Sequence, residues 1–239
     1  MKGSVVMMGI QFRFSMRMVL AAFVLGGLAL SGTAFADAKP EEIIRDALSV
    51  IEDMSAQDDA QSMAETLKGA HAIAIIPSMV KAGFIIGGEY GEGLILRREK
   101  GKWYGPSFYN LGGGSFGLQI GAQSVALALV VINEKGVEAF TSSKTKLGGD
   151  IGIAAGPVGR RAEAATDAQA KASIYSYSMS KGLFAGLSLE GSVISVSVKR
   201  NEQYWKKSIK GRDALNIPAS DKRIKPLLNA LDALIKKAK

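Results

Sequence analysis

The sequence predicts an α+β protein in which an antiparallel, Gly-rich β-sheet, curled or barrel-like, is flanked by N- and C-terminal helices. Two observations predict this class. Apolar residues recur at three- or four-residue spacing towards both ends of the chain, which indicates amphipathic helices, whereas short β-branched runs separated by glycine fill the segment between them. The chain holds 28 glycines, and most of them are clustered in that central segment.

The composition excludes much of the enzyme repertoire. The chain of 239 residues is 47% hydrophobic and 22% charged, as is ordinary for a globular protein. It contains no cysteine, which rules out disulfides, thiolate zinc sites and a cysteine nucleophile. The single histidine, His71, argues against a histidine-based triad and excludes a multi-histidine metal site. We therefore expect neither a metal nor a cofactor.

The first 36 residues have the pattern of a secretory signal peptide. Three basic residues precede an apolar run from Met18 to Leu30, and Ala34-Phe35-Ala36 supplies an A-x-A cleavage site. This run is shorter than the roughly 20 residues that span a bilayer. We expect cleavage near Ala36 and a periplasmic or otherwise extracytoplasmic protein. One form of this expectation places the protein peripherally on a membrane. An uncleaved N-terminal anchor is the alternative.

Residues 37–70 are predicted to form an N-terminal helical segment. Pro40 stands at a first-turn position, acidic residues follow it, and apolar residues then recur at helical spacing: Ile43, Ile44, Ala47, Leu48, Ile51 and Met54. A second, shorter helix is predicted from Gln57 to Lys68, where Gly69 ends it.

Residues 71–205 are predicted to form the β-rich core. A β-branched run begins at His71 and is expected to stop at Pro77. An Ala-rich helix is predicted between Ala162 and Met179. Hairpin turns are predicted at residues 98–102 and 133–136. The clearest further strands are Leu94–Arg97, Ser124–Ile132, Gly136–Thr141 and Ser192–Lys199.

Glycines four residues apart recur in this core. In a strand, positions four apart share a face, so this spacing gives a flat stripe that allows tight bends or the close approach of another backbone. In an apolar helix the same spacing would make a membrane packing face. Interleaved Phe and Ile residues favour strands at the four clusters, which are Gly83/Gly87/Gly91, Gly117/Gly121, Gly148/Gly152/Gly156 and Gly182/Gly186.

Residues 206–239 are predicted to form a basic C-terminal segment with an amphipathic helix from Pro218 to Lys239, capped by Ser220. The segment has ten basic and three acidic residues. Two arrangements fit this pattern: a helix docked on the sheet with a solvated basic rim, or a helix lying in a membrane surface. The apolar stripe consists of Ile224, Leu227, Leu228, Leu231, Leu234 and Ile235.

No motif in the core indicates catalysis. Residues 112–117 match G-x-G-x-x-G, but a dinucleotide site needs a helix directly after the motif, and the following residues are poor helix formers. His71 adjoins an apolar run and is expected to be structural. Acidic residues beside glycines are expected to cap turns: Glu89, Glu92, Asp150 and Glu190. Nucleic acid is not an expected partner, because the basic residues are not interleaved with stacking aromatics.

A long ordered set of motifs carries a resemblance. It runs from Ile76-Pro77 and Lys81-Ala82-Gly83-Phe84 through Trp103 to Tyr109 and Gly113 to Gly121, and it continues through Leu147 to Asp150, Ala154 to Arg160, Tyr175 to Ser178, Ser180 to Gly191 and Asn201 to Tyr204. On these residues the chain resembles the lipid-binding SYLF domain family. The match covers residues 65–205.

The resemblance implies binding of phospholipids, notably phosphoinositides, and no known catalysis. Some fungal relatives also bind actin. The chain departs from the family after Gln123, where Ser124-Val125-Ala126 stands in place of the acid that many relatives carry. It also lacks the lipoprotein cysteine of some bacterial relatives.

We expect an exported, non-catalytic protein that binds anionic phospholipid headgroups or a membrane surface. Four cations lie in or near the family's motifs beside glycine, so that a phosphate could approach backbone amides as well as the positive charge: Lys81, Lys144, Arg160 and Lys181. Two alternatives stay open, namely a periplasmic protein-binding scaffold without a lipid ligand and a membrane-inserting glycine-zipper protein. Protein partners are not identified.

Overall fold

The computed structural model describes residues 37–58, 60–157, 171–180, 183–185 and 189–239. Within the strands, the side chains of residues 83–86, 115–122 and 183–185 are not described. The helices of the described chain are α1 (Pro40–Ser55), α2 (Ala60–Lys68), α3 (Glu134–Ala139), α4 (Val198–Trp205), α5 (Gly211–Ala214) and α6 (Lys225–Ile235). Its strands are β1 (Ala72–Glu99), β2 (Lys102–Val131), β3 (Thr145–Lys146), β4 (Ile153–Ala155), β5 (Ile174–Ser180), β6 (Leu183–Ala185) and β7 (Val193–Val196).

A very long hairpin of β1 and β2 dominates the fold. The two strands have 28 and 30 residues and pair antiparallel from Ala72 opposite Val131 to Glu99 opposite Lys102. The turn uses Lys100 at φ 50° and Gly101 at φ 77°, both in the left-handed region that tight hairpin turns require. The predicted turn at residues 98–102 is therefore confirmed, but the strands beside it are several times longer than expected.

The hairpin folds back on itself. The amide of Arg98 donates a 2.7 Å hydrogen bond to the carbonyl of His71, although a straight strand would hold these residues about 90 Å apart. Register shifts interrupt the pairing after Ile76, Gly83 and Ile95. Pro77 lies in the first shift, where its missing N–H costs no ladder hydrogen bond. The strand therefore continues past Pro77 instead of stopping there.

Two glycines occupy the place where the halves of β1 cross. A Cβ on Gly91 would lie 2.6 Å from Ile76 Cγ2 and 3.2 Å from Met79 Cα. A Cβ on Gly93 would collide with the carbonyl oxygen of Ile75 and lie 2.9 Å from Ile76 Cγ1. These positions show the close backbone approach that the glycine stripe predicts.

The described glycines of the four clusters do not lie in helices. Gly83, Gly87 and Gly91 are in β1 and Gly117 and Gly121 are in β2, while Gly148, Gly152 and Gly156 lie in turns and connections. The helical packing face is therefore wrong for these three clusters. Gly182 and Gly186 lie outside the described residues.

The remaining strands add to β2 and complete a curled, half-barrel sheet. Strand β5 pairs with the end of β2 and β7 pairs with Tyr109–Gly112 in its first half, both antiparallel. Strands β6 and β3 extend the sheet beside β5 and β7. Strand β4 pairs with β5 in parallel, which departs from the fully antiparallel sheet that the sequence predicts.

Hydrophobic cores cover both faces of the sheet. One face packs against α1, α2 and α6 through residues such as Ile51, Met63 and Leu231. The other face packs against the connections that follow β2 through residues such as Phe140 and Leu189. Burial of the sheet on both faces explains why the strands read as nearly continuous apolar runs.

The C-terminal helix α6 is docked on the protein. Leu227, Leu231 and Leu234 are fully buried, and the helix packs mainly on α1 and α2 instead of directly on the sheet. Most of its apolar stripe is therefore buried against the protein, and the in-plane arrangement is wrong. The helix begins at Lys225 instead of Pro218, because Asp221 binds the backbone and guanidinium of Arg223 and shapes a turn there.

Three other predicted elements have the wrong type or length. The expected strand Gly136–Thr141 is α3, because the side chain of Asn133 accepts a 2.9 Å hydrogen bond from Gly136 N and caps a helix. The described part of the expected helix Ala162–Met179 contains β5, and residues 162–170 lie outside the described residues. The strand expected at Ser192–Lys199 ends at Val196, and α4 follows it.

Replacing Gly93 with alanine should lower the free energy of unfolding by about 1–3 kcal/mol, because the added methyl group overpacks the crossing of β1. Gly114→Ala is the matched control, since a Cβ at that strand position meets nothing within 4 Å. Urea denaturation of both variants measures the difference. Equal stability of the two variants would show that the crossing tolerates a side chain.

Candidate functional site

The structure describes two of the four cations proposed as lipid contacts. Lys81 lies in β1, and its Nζ is 2.7 Å from Glu89 Oε2 with only 16% of the side chain exposed. Lys144 is exposed on the connection between α3 and β3. No contact joins these two side chains in the described chain. Arg160 and Lys181 lie outside the described residues.

The Lys81–Glu89 ion pair closes the bend of the hairpin. The two residues are eight apart in one strand, so a straight strand would separate them by about 26 Å. Ser192 Oγ donates a very short hydrogen bond to the other oxygen of Glu89, which links the bend to the residue before β7. The Glu89 carboxylate, 4% exposed, thus offsets the charge of Lys81 and leaves it less available to a headgroup.

A second ion pair joins Arg200 of α4 to Glu92 of β1. The Arg200 side chain is 2% exposed, and its guanidinium also donates to Asn110 Oδ1 at 2.7 Å and to Ser197 Oγ at 3.1 Å. The backbone of Ala38 is held at both ends: its N–H donates to Glu92 Oε2 at 3.1 Å, and its carbonyl accepts from Arg200 Nε at 3.0 Å. Together these contacts connect the segment before α1 to β1, β2 and α4.

Tyr90 completes this polar network. Its hydroxyl donates a 2.9 Å hydrogen bond to Glu92 Oε1. Burial and the neighbouring Glu92 carboxylate raise the pKa of Tyr90 above its ordinary value, so the phenol stays protonated and remains a donor. Glu89 and Glu92 are both engaged by a cation and by hydroxyl or amide donors. This arrangement suits a structural brace between elements rather than general acid–base chemistry, which requires a carboxyl free to exchange its proton with a substrate.

Sequence reasoning anticipates only part of this network. The turn-capping expectation is confirmed for Asp150, whose carboxylate accepts from Lys146 N at 2.8 Å. Glu89 and Glu92 form buried ion pairs instead. Arg200 was missed, since an arginine beside other polar residues reads as surface, and its burial depends on partners 90 and 108 residues away.

Exposed basic side chains cluster on the segment Lys206–Arg212, which we call the basic loop. Lys206, Lys207, Lys210 and Arg212 are exposed, and none of them has an ion-pair partner among the described residues. The loop is anchored at its start, where Trp205 Nε1 donates to the carbonyl of Pro106 at 3.1 Å.

The charge of Arg223, by contrast, is used within the protein. Its guanidinium binds Glu41 at 2.6 Å and Asp221 at 2.7 Å. It also stacks on the ring of Tyr204, 4.0 Å from the ring centroid. Arg223 therefore ties α1 to the chain before α6.

None of the helices described has both the length and the apolar character needed to cross a bilayer. No group of three or more His, Asp or Glu side chains in the described chain is arranged to hold a metal ion.

The family model and the relatives that match this chain all point to one family. Residues 112–234 match the family model Ysc84, described as Las17-binding protein actin regulator. Protein YSC84 of Saccharomyces cerevisiae is 37% identical over 177 residues, covering 70% of this chain and 36% of that protein. The human SH3 domain-containing YSC84-like protein 1 is 34% identical over 154 residues, covering 64% of this chain and 45% of that protein.

A third relative is LAS seventeen-binding protein 3 of S. cerevisiae. It is 39% identical over 145 residues, covering 59% of this chain and 31% of that protein. The chain therefore spans less than half the length of these relatives.

Breaking the buried Arg200–Glu92 pair should cost about 3–5 kcal/mol of unfolding free energy in either Arg200→Met or Glu92→Gln, because each leaves an uncompensated buried group. The double variant should lose less than the sum of the two. A double-mutant cycle by urea denaturation measures this coupling. The exposed pair Arg45–Asp46 is the control, and its coupling should stay below about 1 kcal/mol. Additive losses at Arg200 and Glu92 would contradict the brace.

Proposed function

The chain belongs to the Ysc84 (SYLF) family, and from this premise we propose that it is a non-catalytic binding protein whose ligand is an anionic phospholipid surface. The observation that carries the proposal is the separation of its charges. The buried cations Lys81 and Arg200 are paired with carboxylates. The lysines of the basic loop are exposed and have no ion-pair partner among the residues that the structure describes. Each basic residue near an acidic membrane surface contributes about 1 kcal/mol of attraction.

The motif cations are the proposed headgroup contacts. Lys144 is exposed and available, and Arg160 and Lys181 are proposed with it on the family's motifs. Lys81 contributes to binding only where a headgroup phosphate replaces Glu89 as its partner. The basic loop adds a longer-range attraction that orients the protein towards the membrane.

A second candidate is a protein-binding scaffold. The matched family model and one relative carry Las17 binding in their descriptions, which is the observation that favours it. The two candidates require different surfaces. Binding to lipid requires clustered, exposed cations, whereas binding to a protein requires a surface complementary to that partner. Vesicle binding distinguishes them.

The protein should bind vesicles of phosphatidylcholine mixed with phosphatidylserine and should not bind vesicles of phosphatidylcholine alone. Binding should weaken as salt rises, because the screening length falls from about 10 Å at 0.1 M to about 3 Å at 1 M. Co-sedimentation measures the bound fraction. Equal binding to both vesicle types, or binding unchanged by salt, would contradict the proposal. The protein-binding scaffold would then be the better candidate.

Three charge-matched triple variants locate the surface. Lys144→Gln with Arg160→Gln and Lys181→Gln tests the motif cations, and Lys206→Gln with Lys207→Gln and Lys210→Gln tests the basic loop. Both should weaken binding about tenfold or more. The control removes the same charge from the end of the chain and from α6: Lys225→Gln, Lys236→Gln and Lys239→Gln. Glutamine replacement is preferable to truncation, because α6 carries fully buried leucines.

We also propose export with cleavage near Ala36. The supporting pattern is the basic leader, the apolar run and the A-x-A site. Intact-mass analysis of the protein from fractionated cells should find an N-terminus at Asp37 and the protein outside the cytoplasm. A retained leader in the purified protein, or recovery only from the cytoplasm, would refute it.

A further inference from the structure

A cleft of about 180 Å3 opens between the end of β1, α3 and α5, and Arg212 at the end of the basic loop is part of its lining. Two apolar side chains of its lining, Val137 and Leu215, are almost fully buried. Polar and charged side chains form the rest of the lining: Arg97, Glu134, Glu138, Thr141, Arg212 and Asn216.

One wall of the cleft is fixed by its own contacts. Arg97 Nη1 donates to Asn216 Oδ1 at 3.0 Å, and Arg97 Nη2 lies 3.5 Å from Glu134 Oε1. Glu134 also pairs with His71 Nδ1 at 3.0 Å. The hydrogen bond from His71 lowers the pKa of Glu134, so this carboxylate stays ionised and keeps Arg97 in place. The charges on this side of the cleft therefore neutralise one another and do not require a ligand.

The other two charged side chains of the cleft are not neutralised by a partner in the described chain. Arg212 and Glu138 are exposed, and neither side chain has a hydrogen bond or an ion pair among the described residues. A simple anion would satisfy Arg212 and meet repulsion from Glu138, and a simple cation would do the reverse. A molecule that carries one charge of each sign can pair with both.

We propose that this cleft binds a free α-amino acid with an aliphatic side chain. The carboxylate pairs with Arg212, the ammonium group pairs with Glu138, and the side chain covers Val137 and Leu215. The volume agrees with such a ligand, because it lies below the roughly 300 Å3 at which sites for drug-sized molecules begin. A ligand this small binds with a Kd on the order of 1 mM.

Isothermal titration of the purified protein with L-leucine tests the proposal without lipid. Two analogues separate the charges: 4-methylpentanoic acid lacks the amino group, and isopentylamine lacks the carboxylate. Leucine should bind saturably, and each analogue should bind about tenfold more weakly or worse. Absence of saturable binding for leucine, isoleucine and valine, or equal binding of either analogue, would overturn the proposal.

Single variants place the ligand in the cleft. Arg212→Gln and Glu138→Gln should each weaken leucine binding about tenfold. Lys236→Gln and Glu202→Gln remove matched exposed charges outside the cleft and should leave binding unchanged. All four side chains are exposed, so circular dichroism should show unaltered folding. Unchanged leucine binding in both cleft variants would refute the site, whatever the vesicle experiments show about lipid.

Discussion

The crossing of β1 over itself is the constraint on which the rest of the structure depends. Once the hairpin folds back, one half of β1 lies against the other at Gly91 and Gly93, where only the absence of a side chain allows the contact. The same fold-back gives the sheet its curl and leaves β2 as the strand to which both β5 and β7 attach. The helices then cover the face that the curled sheet presents.

Buried charge stabilises this geometry at two points. Lys81–Glu89 connects positions on either side of the bend, and Arg200–Glu92 joins the hairpin to α4 and to the backbone of Ala38. A buried ion pair is stabilising only when further hydrogen bonds satisfy its remaining lone pairs and protons. Both carboxylates have such donors, so the interior charges are used for architecture. The charges left for a ligand are those on the surface.

Local signals were sufficient where neighbouring residues decide the structure. The apolar spacing of α1, the Lys100–Gly101 turn and the end of β2 all follow from short stretches of sequence. The prediction of a strand at Gly136–Thr141 was wrong, because the cap by Asn133 starts a helix there despite the β-branched residues. The site was harder to predict. Lys81 reads as a free cation because Glu89 reaches it only through a fold-back that no local pattern encodes.

The length of the hairpin also has a kinetic consequence. Pairing from the turn outwards, from Glu99 with Lys102 to Ala72 with Val131, is the order that costs the least loop entropy for each new pair. In that order the hydrogen bond between Arg98 and His71 forms only after nearly the whole hairpin has paired. Until then both apolar faces of two long strands are open to water and to other chains. Assembly therefore has a vulnerable interval, in which a chaperone that covers strands would favour the native protein over aggregation.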